Sequence, residues 1–362
     1  MKIGVLGSGQ LGRMLALSAY PLGHQMSFLA SSEEDPSSLL GNTFIQNGSQ
    51  EIIEEFSKNS DVVTYESENT AVSIVKEISQ KTMVYPSAKS LFTSQHRGRE
   101  KSLFDKLNIP CAPYQMVNNL QELKIAVEKI GLPAILKTAT DGYDGKGQFL
   151  IQSDSQLDQA WKSMSGVESI LEGFINFKRE LSLVAVRGVD NTHEYYPLVE
   201  NSHHNGILRL TIAPAQNISP KLQQQAESYM RSLLDEMNHV GVLTIELFET
   251  DNNLVVNEMA PRVHNSGHWT IEGARTSQFE NHIRAITETP LGNTSCTHEY
   301  SAMINIIGEQ GPIDKVLTLK NAHLHLYNKT EREGRKLGHI TITANTLDDL
   351  NTSLETLSDF MP

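Results

Sequence analysis

The sequence predicts an α/β protein of two or three domains that opens with a doubly wound parallel sheet and ends in a small β-rich domain. The 362 residues exceed the roughly 250–300 residues that one hydrophobic core usually serves. Over the first ninety or so residues, apolar strand-like runs alternate with helical stretches, a pattern typical of a parallel sheet. Short strand-like segments dominate again from about residue 291.

The first domain is expected over residues 1–94. Its strands are apolar runs, and the helices between them have apolar residues at helical spacing. The predicted strands are 2–6, 25–30 and 61–65, and the predicted helices are 11–20, 52–57 and 72–80.

A central domain over 95–290 and a C-terminal domain over 291–362 complete the expected organisation. The central part combines helices with a β-rich stretch, and turn residues separate the two strands of a late hairpin. Its predicted helices are 95–107, 120–130, 155–164 and 219–239, its β-rich stretch is 133–199, and its hairpin strands are 240–249 and 254–259. The C-terminal strands are predicted at 301–307, 323–327 and 339–344, before a helix at 347–359.

The acidic composition excludes general nucleic-acid binding. The net charge is −13, whereas neutralising a phosphate backbone needs a basic surface. A small phosphorylated ligand needs only a few local cations and is compatible with this balance. Cys111 and Cys296 are too few for a disulfide framework. The first residues enter a strand directly and no apolar run reaches about 20 residues, so a cytoplasmic protein without membrane contact is expected.

The first glycine-rich segment, residues 7–12, reads Gly-Ser-Gly-Gln-Leu-Gly. It follows a strand and opens a helix, which is the context of the dinucleotide-binding fingerprint. The same pattern also suits a tight turn that binds another anion or only packs. No dehydrogenase-like catalytic pattern follows, so the segment alone leaves the choice open.

A second glycine-rich segment follows the strand that ends in Lys137. It reads Asp-Gly-Tyr-Asp-Gly-Lys-Gly-Gln over 141–148 and leads into another strand, so it is not a Walker A loop. Glycines, exposed N–H groups and the flanking Lys137 and Lys146 suit a polyphosphate. A solvated hairpin loop is the alternative.

Two glutamates in the late hairpin predict a cation site. If residue 252 is the centre of the turn, Thr250 pairs with Leu254, Phe248 pairs with Val256, and Glu246 pairs with Glu258. Directly opposed side chains share one face of a sheet, where two bare carboxylates repel each other. A divalent cation removes the repulsion, and oxygen ligands suit Mg²⁺. A register one residue off would instead send one glutamate to solvent.

Two further segments carry polar side chains. Residues 260–270 place Arg262, His264 and Asn265 just after the hairpin, and they suit an anionic, hydroxyl-rich substrate. His264 and His268 are four residues apart, but Gly267 indicates a loop and the glutamate of a zinc motif is absent. The basic segment 329–339 fits either a phosphate clamp or a solvated turn.

Taken together, these motifs resemble the ATP-grasp superfamily and, within it, the N5-carboxyaminoimidazole ribonucleotide synthetase family. The resemblance extends over essentially the whole chain and implies an ATP-grasp fold between the two terminal domains. Its motifs are 7–14, 61–69, 142–148, 172–175, 257–270 and 334–339.

The resemblance implies ATP and Mg²⁺ as cofactors. ATP would lie between two antiparallel sheets, Glu180 would hold its ribose, and Glu246 with Glu258 would hold the metal. The implied ATP-binding residues are Arg97, Lys137, Gly142, Tyr143, Asp144, Gly145, Lys146, Gly147, Gln148, Glu172, Gly173, Phe174, Ile175, Glu180, His203, Asn257 and Glu258.

The implied reaction joins bicarbonate to 5-aminoimidazole ribonucleotide at the expense of ATP, through carboxyphosphate. Arg262, His264 and Asn265 would place the reactants, and Asp144 would handle the proton of the amine. The implied ribonucleotide-binding residues are Gln10, Leu11, Glu68, Lys329, Arg335 and Lys336. The family also implies a homodimer.

Three alternatives stand beside this interpretation. A formate-dependent glycinamide ribonucleotide transformylase would share the ATP apparatus and differ at the acceptor, while a Rossmann dehydrogenase would lack the second glycine loop and the paired glutamates. A non-catalytic nucleotide-binding protein would not need intact Glu246 and Glu258. The chain departs from the family pattern at three places: His96 replaces an Asp before Arg97, Val263 replaces a Pro before His264, and Thr140-Asp141 stands before the glycine core where Gly or Arg is often found.

Overall fold

A computed structural model describes residues 1–142, 147–251 and 253–361. These residues form three sheets, and hydrophobic clusters lie between the sheets and the helices that cover them. None of the helices in the described part of the chain combines the length and the apolar character needed to cross a bilayer.

The N-terminal sheet is five-stranded and parallel, in the order β3-β2-β1-β4-β5. This confirms the predicted doubly wound domain, whose three predicted strands are all present. Two short strands were not predicted. The strands are β1 Lys2–Leu6, β2 Gln25–Ala30, β3 Asn42–Ile45, β4 Val62–Tyr65 and β5 Met83–Val84, and the helices are α1 Gln10–Ala19, α2 Gln50–Lys58, α3 Val72–Ile78 and α4 Ala88–Ser94.

The second sheet is antiparallel, in the order β6-β9-β7-β8. Its apolar face packs against two helices, with Leu123 and Leu136 fully buried between them. The strands are β6 Tyr114–Val117, β7 Ala134–Thr138, β8 Gln148–Ile151 and β9 Ser169–Gly173, and the helices are α5 Arg97–Lys106, α6 Leu120–Ile130 and α7 Leu157–Ser163.

The third sheet is the largest and runs β15-β14-β10-β12-β13-β16-β18-β17, with β11 paired to β10. Because β16 pairs with β13, the C-terminal strands extend the central sheet. The strands are β10 Arg179–Arg187, β11 His193–Tyr195, β12 Val199–His204, β13 Ile207–Ala213, β14 Gly241–Glu249, β15 Leu254–Ala260, β16 Tyr300–Ile307, β17 Ala322–Leu326 and β18 Lys336–Ala344. The helices are α8 Pro220–Met237, α9 Thr270–Gly273, α10 Gln278–Ile286, α11 Ile313–Thr318 and α12 Leu347–Thr356.

Two of the departures from the family pattern, His96 and Val263, have simple structural roles. His96 precedes α5, and its Nδ1 accepts the amide hydrogens of Gly98 and Arg99, as an N-cap aspartate would. Val263 is 1% exposed and packs in the central core.

A buried histidine joins the N-terminal sheet to the central one. Nδ1 of His282 accepts the amide hydrogen of Val242 at 3.1 Å, and Nε2 lies 2.9 Å from the hydroxyl of Thr64. Gly241 has φ +106°, and a Cβ there would lie 2.8 Å from the imidazole. The ring therefore occupies space that only a glycine leaves free.

Replacing His282 with Gln should make the free energy of unfolding less dependent on pH. Burial lowers the pKa of His282 to about 3, so between pH 3 and pH 6.5 only the unfolded chain takes up a proton at this ring. Stability is therefore full above pH 6.5 and falls as the pH drops towards 3. Between pH 7 and pH 5 the wild type should lose roughly 2 kcal/mol through this residue, as measured by urea unfolding.

The exposed residue His323 provides the matched control, since His323→Gln removes an imidazole that the fold does not bury. If His282→Gln and the wild type lose equal stability between pH 7 and pH 5, the buried imidazole is not the source of the acid sensitivity.

Candidate active site

One cavity of about 660 Å³ brings together residues that follow strands β1 and β4 of the N-terminal sheet and residues of the two other sheets. Most of the site residues expected from the sequence line it. Those residues are Gln10, Leu11, Glu68, Arg97, Lys137, Gly142, Gln148, Glu180, His203, Glu246, Asn257, Glu258, Arg262, His264, Asn265 and Lys336.

The hairpin β14–β15 pairs Glu246 with Glu258, as the sequence predicts. The predicted pairing nearer the turn is wrong by one residue: Glu249 pairs with Leu254 and Phe248 with Val255. A bulge between Glu246 and Leu247 in the ladder leaves Asn257 as an extra residue on β15, and this restores the register at the glutamates.

The two paired carboxylates differ in electrostatic environment. Burial and the charge of Glu258 raise the pKa of Glu246 to about 7, although His203 opposes the shift. Burial alone would raise the pKa of Glu258 too, but Arg97 donates to its Oε2 at 2.8 Å and lowers it overall. The raised pKa of Glu246 reflects the like-charge conflict that a divalent cation would relieve.

The donor set fits a hard cation that takes its other ligands from a substrate. Within the described residues, no three histidine, cysteine, aspartate or glutamate side chains converge on a single point. Glu246 and Glu258 thus provide two oxygen donors, with Asn257 next to them in the cavity lining. Mg²⁺ commonly binds through one or two carboxylates plus substrate phosphates.

A buried ion-pair network lies at the end of β7. Lys137 Nζ donates to Glu172 Oε2 at 2.8 Å, and Lys101 Nζ lies 3.6 Å from Glu172 Oε1. Burial would raise the pKa of Glu172, but the two lysines outweigh it and lower this pKa to about 2. Glu172 therefore stays ionised and orients Lys137, whose side chain reaches the cavity.

Glu180 and His203 form a second pair at the cavity. They lie on the neighbouring strands β10 and β12, and Nδ1 of His203 is 2.9 Å from Glu180 Oε2. Burial would lower the pKa of His203, but the hydrogen bond and charge of Glu180 raise it overall. A carboxylate held by an imidazole is well suited to accept hydrogen bonds from ribose hydroxyls.

Arg262 ties the N-terminal domain to the end of β15. Its guanidinium pairs with both carboxylate oxygens of Glu68, with Nη2 2.8 Å from Oε1. Burial would raise the pKa of Glu68, but Arg262 outweighs it and lowers this pKa to about 2. The bidentate pair fixes the geometry of both side chains.

His264 and Asn265 are oriented by their own neighbours. Nε2 of His264 lies 3.4 Å from Glu246 Oε1, while its Nδ1 accepts the amide hydrogen of Ser266. Burial, followed by the charge of Arg262, lowers the pKa of His264 to about 3, so the ring is neutral. Asn265 exchanges two amide hydrogen bonds with the buried Asn305 of β16.

The first glycine-rich segment binds a carboxylate of its own chain. Glu66 accepts the amide hydrogens of Gly9 and of Gly12, the latter at 2.6 Å. Gly7 has φ +114°, and a Cβ there would lie 2.6 Å from Glu66. The helix N-terminus that a dinucleotide pyrophosphate would use is therefore already occupied, which argues against the dehydrogenase alternative.

The basic C-terminal segment lies at the edge of the cavity. Lys329 donates to Gln10, and Arg335 donates to Thr330 Oγ1 at 2.7 Å. Burial, followed by the charges of Arg335 and Lys336, lowers the pKa of Lys329 to about 8. An anion here would relieve the mutual repulsion of these cations.

Some expected residues lie away from the cavity wall. The lining does not include Gly147, Glu172, Gly173, Phe174, Ile175, Lys329 or Arg335, and Phe174 is 44% exposed. Tyr143, Asp144, Gly145 and Lys146 fall outside the described residues.

Sequence reasoning missed several side chains that line the cavity. Phe177 stacks on Phe248 with ring centroids 4.5 Å apart. The hydroxyl of Tyr327 lies 2.6 Å from Nδ1 of His339, and either atom can be the donor of this hydrogen bond. Glu66 could have been found from the sequence, because it directly follows a buried strand and lies two residues before Glu68. The aromatic residues could not, because their neighbours come from distant strands.

Three family models match consecutive parts of the chain. A ribonucleotide synthetase preATP-grasp domain matches residues 1–95, an ATP-grasp domain matches 102–279, and a phosphoribosylaminoimidazole carboxylase C-terminal domain matches 301–353.

Known proteins are similar over nearly the full length. The N5-carboxyaminoimidazole ribonucleotide synthase of Pseudomonas aeruginosa is 46% identical over 343 residues, 94% of each chain. A crystal structure of the Thermus thermophilus synthetase matches with a TM-score of 0.95 and 45% identity, covering 99% of this chain and 98% of that one. An Aspergillus clavatus synthase, in complex with ADP and 5-aminoimidazole ribonucleotide, matches with a TM-score of 0.92 and 33% identity over 99% and 98% of the two chains.

Replacing Glu66 with Ala should lower the free energy of unfolding by about 2 kcal/mol, because two helix-terminal amide groups lose their acceptor. Urea unfolding at pH 7 measures the difference. The exposed Glu55 on α2 provides the matched control as Glu55→Ala. Equal stability of the two variants would contradict the assigned role of Glu66.

Proposed function

We propose the reaction of this chain from its family: it belongs to the N5-carboxyaminoimidazole ribonucleotide synthases, which are ATP-grasp ligases of purine biosynthesis. Bicarbonate attacks the γ-phosphorus of ATP to give carboxyphosphate and ADP. The exocyclic amine of 5-aminoimidazole ribonucleotide then attacks the carbonyl carbon, and phosphate leaves. Phosphorylation is needed because bicarbonate is a weak electrophile whose charge is delocalised.

The observation that carries the proposal is the convergence of three parts of the chain on one cavity. Glu68 comes from the N-terminal domain, Glu258 from the ATP-grasp part and Lys336 from the last strand. A two-substrate ligase needs this arrangement, since its nucleotide and its acceptor must meet at one centre.

Two cationic side chains are proposed to bind the phosphates of ATP. Arg97 and Lys137 reach the cavity from α5 and β7, and the loop over 142–148 is proposed to close over the phosphates. When bound between Glu246 and Glu258, Mg²⁺ would neutralise charge on the phosphate oxygens. Glu180 and His203 would hold the ribose hydroxyls, and the strand edge at Glu172, Gly173, Phe174 and Ile175 would face the adenine.

Polar groups beyond β15 are proposed to hold bicarbonate and the acceptor. Arg262 would offset the charge of bicarbonate, and the neutral His264, whose Nδ1 accepts from Ser266, would donate a hydrogen bond from Nε2 at this position. Asn265, held by Asn305, would orient the aminoimidazole. Asp144 would take the proton of the amine. Lys329, Arg335 and Lys336 would bind the 5′-phosphate, with Gln10, Leu11 and Glu68 assisting.

We also propose a domain division at 1–94, 95–290 and 291–362, a cytoplasmic location and a homodimer. These proposals rest on the family resemblance, the strand pattern and the place of the reaction in purine biosynthesis. Size-exclusion chromatography with light scattering would measure the oligomeric state.

Release of ADP by the purified protein should require ATP, Mg²⁺, bicarbonate and 5-aminoimidazole ribonucleotide together. A coupled ADP assay that omits each component in turn measures this. Full activity with formate and glycinamide ribonucleotide in place of bicarbonate and aminoimidazole ribonucleotide would instead identify the transformylase alternative.

Replacing Glu258 with Gln should lower Mg²⁺-dependent kcat/KM by at least about 100-fold, because one anionic metal ligand is lost. The fold should survive, since the amide still accepts a hydrogen bond from Arg97. Turnover and circular dichroism measure the two effects. Turnover equal to that of the wild type would mean that Glu258 is not a ligand of the metal.

A further inference from the structure

One face of helix α5 contacts the outer edge of strand β15. Arg97, Glu100 and Lys101 are spaced i, i+3 and i+4, so they lie on the same side of the helix. Strand β15 is the edge strand of the large sheet, so its outward N–H and C=O groups take partners from outside the sheet. The N–H of Val256 donates to the carbonyl oxygen of Pro110 at 2.8 Å, and side chains of α5 bind the residues that follow.

The three side chains bind three consecutive residues of β15. Lys101 Nζ donates to the carbonyl oxygen of Asn257 at 2.7 Å. Arg97 donates to the carboxylate of Glu258 at 2.8 Å, and Glu100 Oε1 accepts the amide hydrogen of Met259 at 2.6 Å. The backbone is thus held immediately before and after Glu258.

These contacts coincide with the bulge that sets the register. Nearer the turn, Leu247 pairs with Val256, and a regular continuation of that ladder would bring Asn257 opposite Glu246. Glu258 would then turn to the opposite face of the sheet, because a one-residue slip reverses every side chain. The bulge at Asn257 prevents this.

Glu100 and Lys101 are buried away from the cavity. They are 2% and 1% exposed, and neither belongs to the lining of the cavity. Burying polar and charged groups is unfavourable unless their hydrogen bonds are satisfied, and the backbone of β15 accepts from Lys101 and donates to Glu100. Lys101 also lies 3.6 Å from Glu172, which links the bulge to the ion pair that orients Lys137.

We propose that Glu100 and Lys101 are positioning residues for the nucleotide-bound metal: they hold the bulge at Asn257 and so keep the carboxylate of Glu258 opposite Glu246. This inference rests on the proposed role of Glu246 and Glu258 as the Mg²⁺ ligands. It assigns a function at the metal site to two residues that do not line the cavity.

Isothermal titration calorimetry of the full chain with ADP, with and without Mg²⁺, tests the inference without relying on turnover. Lys101→Met and Glu100→Leu should weaken MgADP binding at least 10-fold and change ADP binding without Mg²⁺ less than 3-fold. Glu100→Gln should stay within 3-fold of the wild type, because its amide oxygen still accepts from Met259. Lys106→Met, an exposed change on the same helix that removes a pairing with Glu236, provides the control.

Either of two results would overturn the inference. MgADP binding unchanged in both apolar variants would mean that the register does not depend on α5. Equal losses with and without Mg²⁺ would mean that these residues act only on the general structure. Should an apolar variant fail to fold, Glu100→Asp applies the same test, since the shorter side chain withdraws its oxygen from Met259.

A different result would bear on the proposed function instead. If the wild-type chain binds ADP equally well with and without Mg²⁺, Glu246 and Glu258 are not the metal ligands, whatever the variants do. Strong Mg²⁺-dependence in the wild type that is lost selectively in Lys101→Met supports both proposals.

Discussion

Two carboxylates face each other across the hairpin β14–β15, and their mutual repulsion determines much of the arrangement of the site. Glu246 and Glu258 share one face only because Asn257 bulges out of the ladder. Burial in a partly apolar sheet makes their repulsion stronger than it would be in water. Arg97 relieves the charge of one carboxylate, which leaves the other with a raised pKa and a place for a cation. In the proposed function, the nucleotide phosphates would supply the remaining oxygen ligands.

The charges that line the cavity differ from the net charge of the whole chain. A net charge of −13 describes the solvated surface, whereas Arg97, Lys137 and Arg262 at the cavity are each paired with a carboxylate. Arg262 with Glu68 and Lys137 with Glu172 are ion pairs of this kind. Such pairs hold their side chains in fixed positions before any ligand arrives, so less conformational entropy is lost on binding. The N-terminal glycine segment uses its anion-binding geometry for an internal carboxylate.

Much of the fold and part of the site could be predicted from the sequence, and the failures have physical reasons. The buried strands of the first sheet were predicted because their apolar runs are uninterrupted, while the half-exposed β3 lacks that signal. Strand β12 was missed because residues such as His203 are polar where they face the cavity. The pairing of Glu246 with Glu258 followed from a turn, but the bulge depends on a helix some 150 residues earlier in the chain. Hydrogen bonds between residues so far apart in the chain cannot be predicted from the pattern of a short stretch of sequence.

If bicarbonate is activated as carboxyphosphate, one of its oxygen atoms must end in the released phosphate, and isotope labelling measures that transfer. With freshly dissolved ¹⁸O-bicarbonate, ATP and 5-aminoimidazole ribonucleotide, the bond that forms first joins a bicarbonate oxygen to the γ-phosphorus. Attack of the amine on carbon then leaves that oxygen on the phosphate. Mass spectrometry of the released phosphate should therefore detect one ¹⁸O atom per labelled turnover. Phosphate that carries no ¹⁸O from bicarbonate would exclude carboxyphosphate as the intermediate.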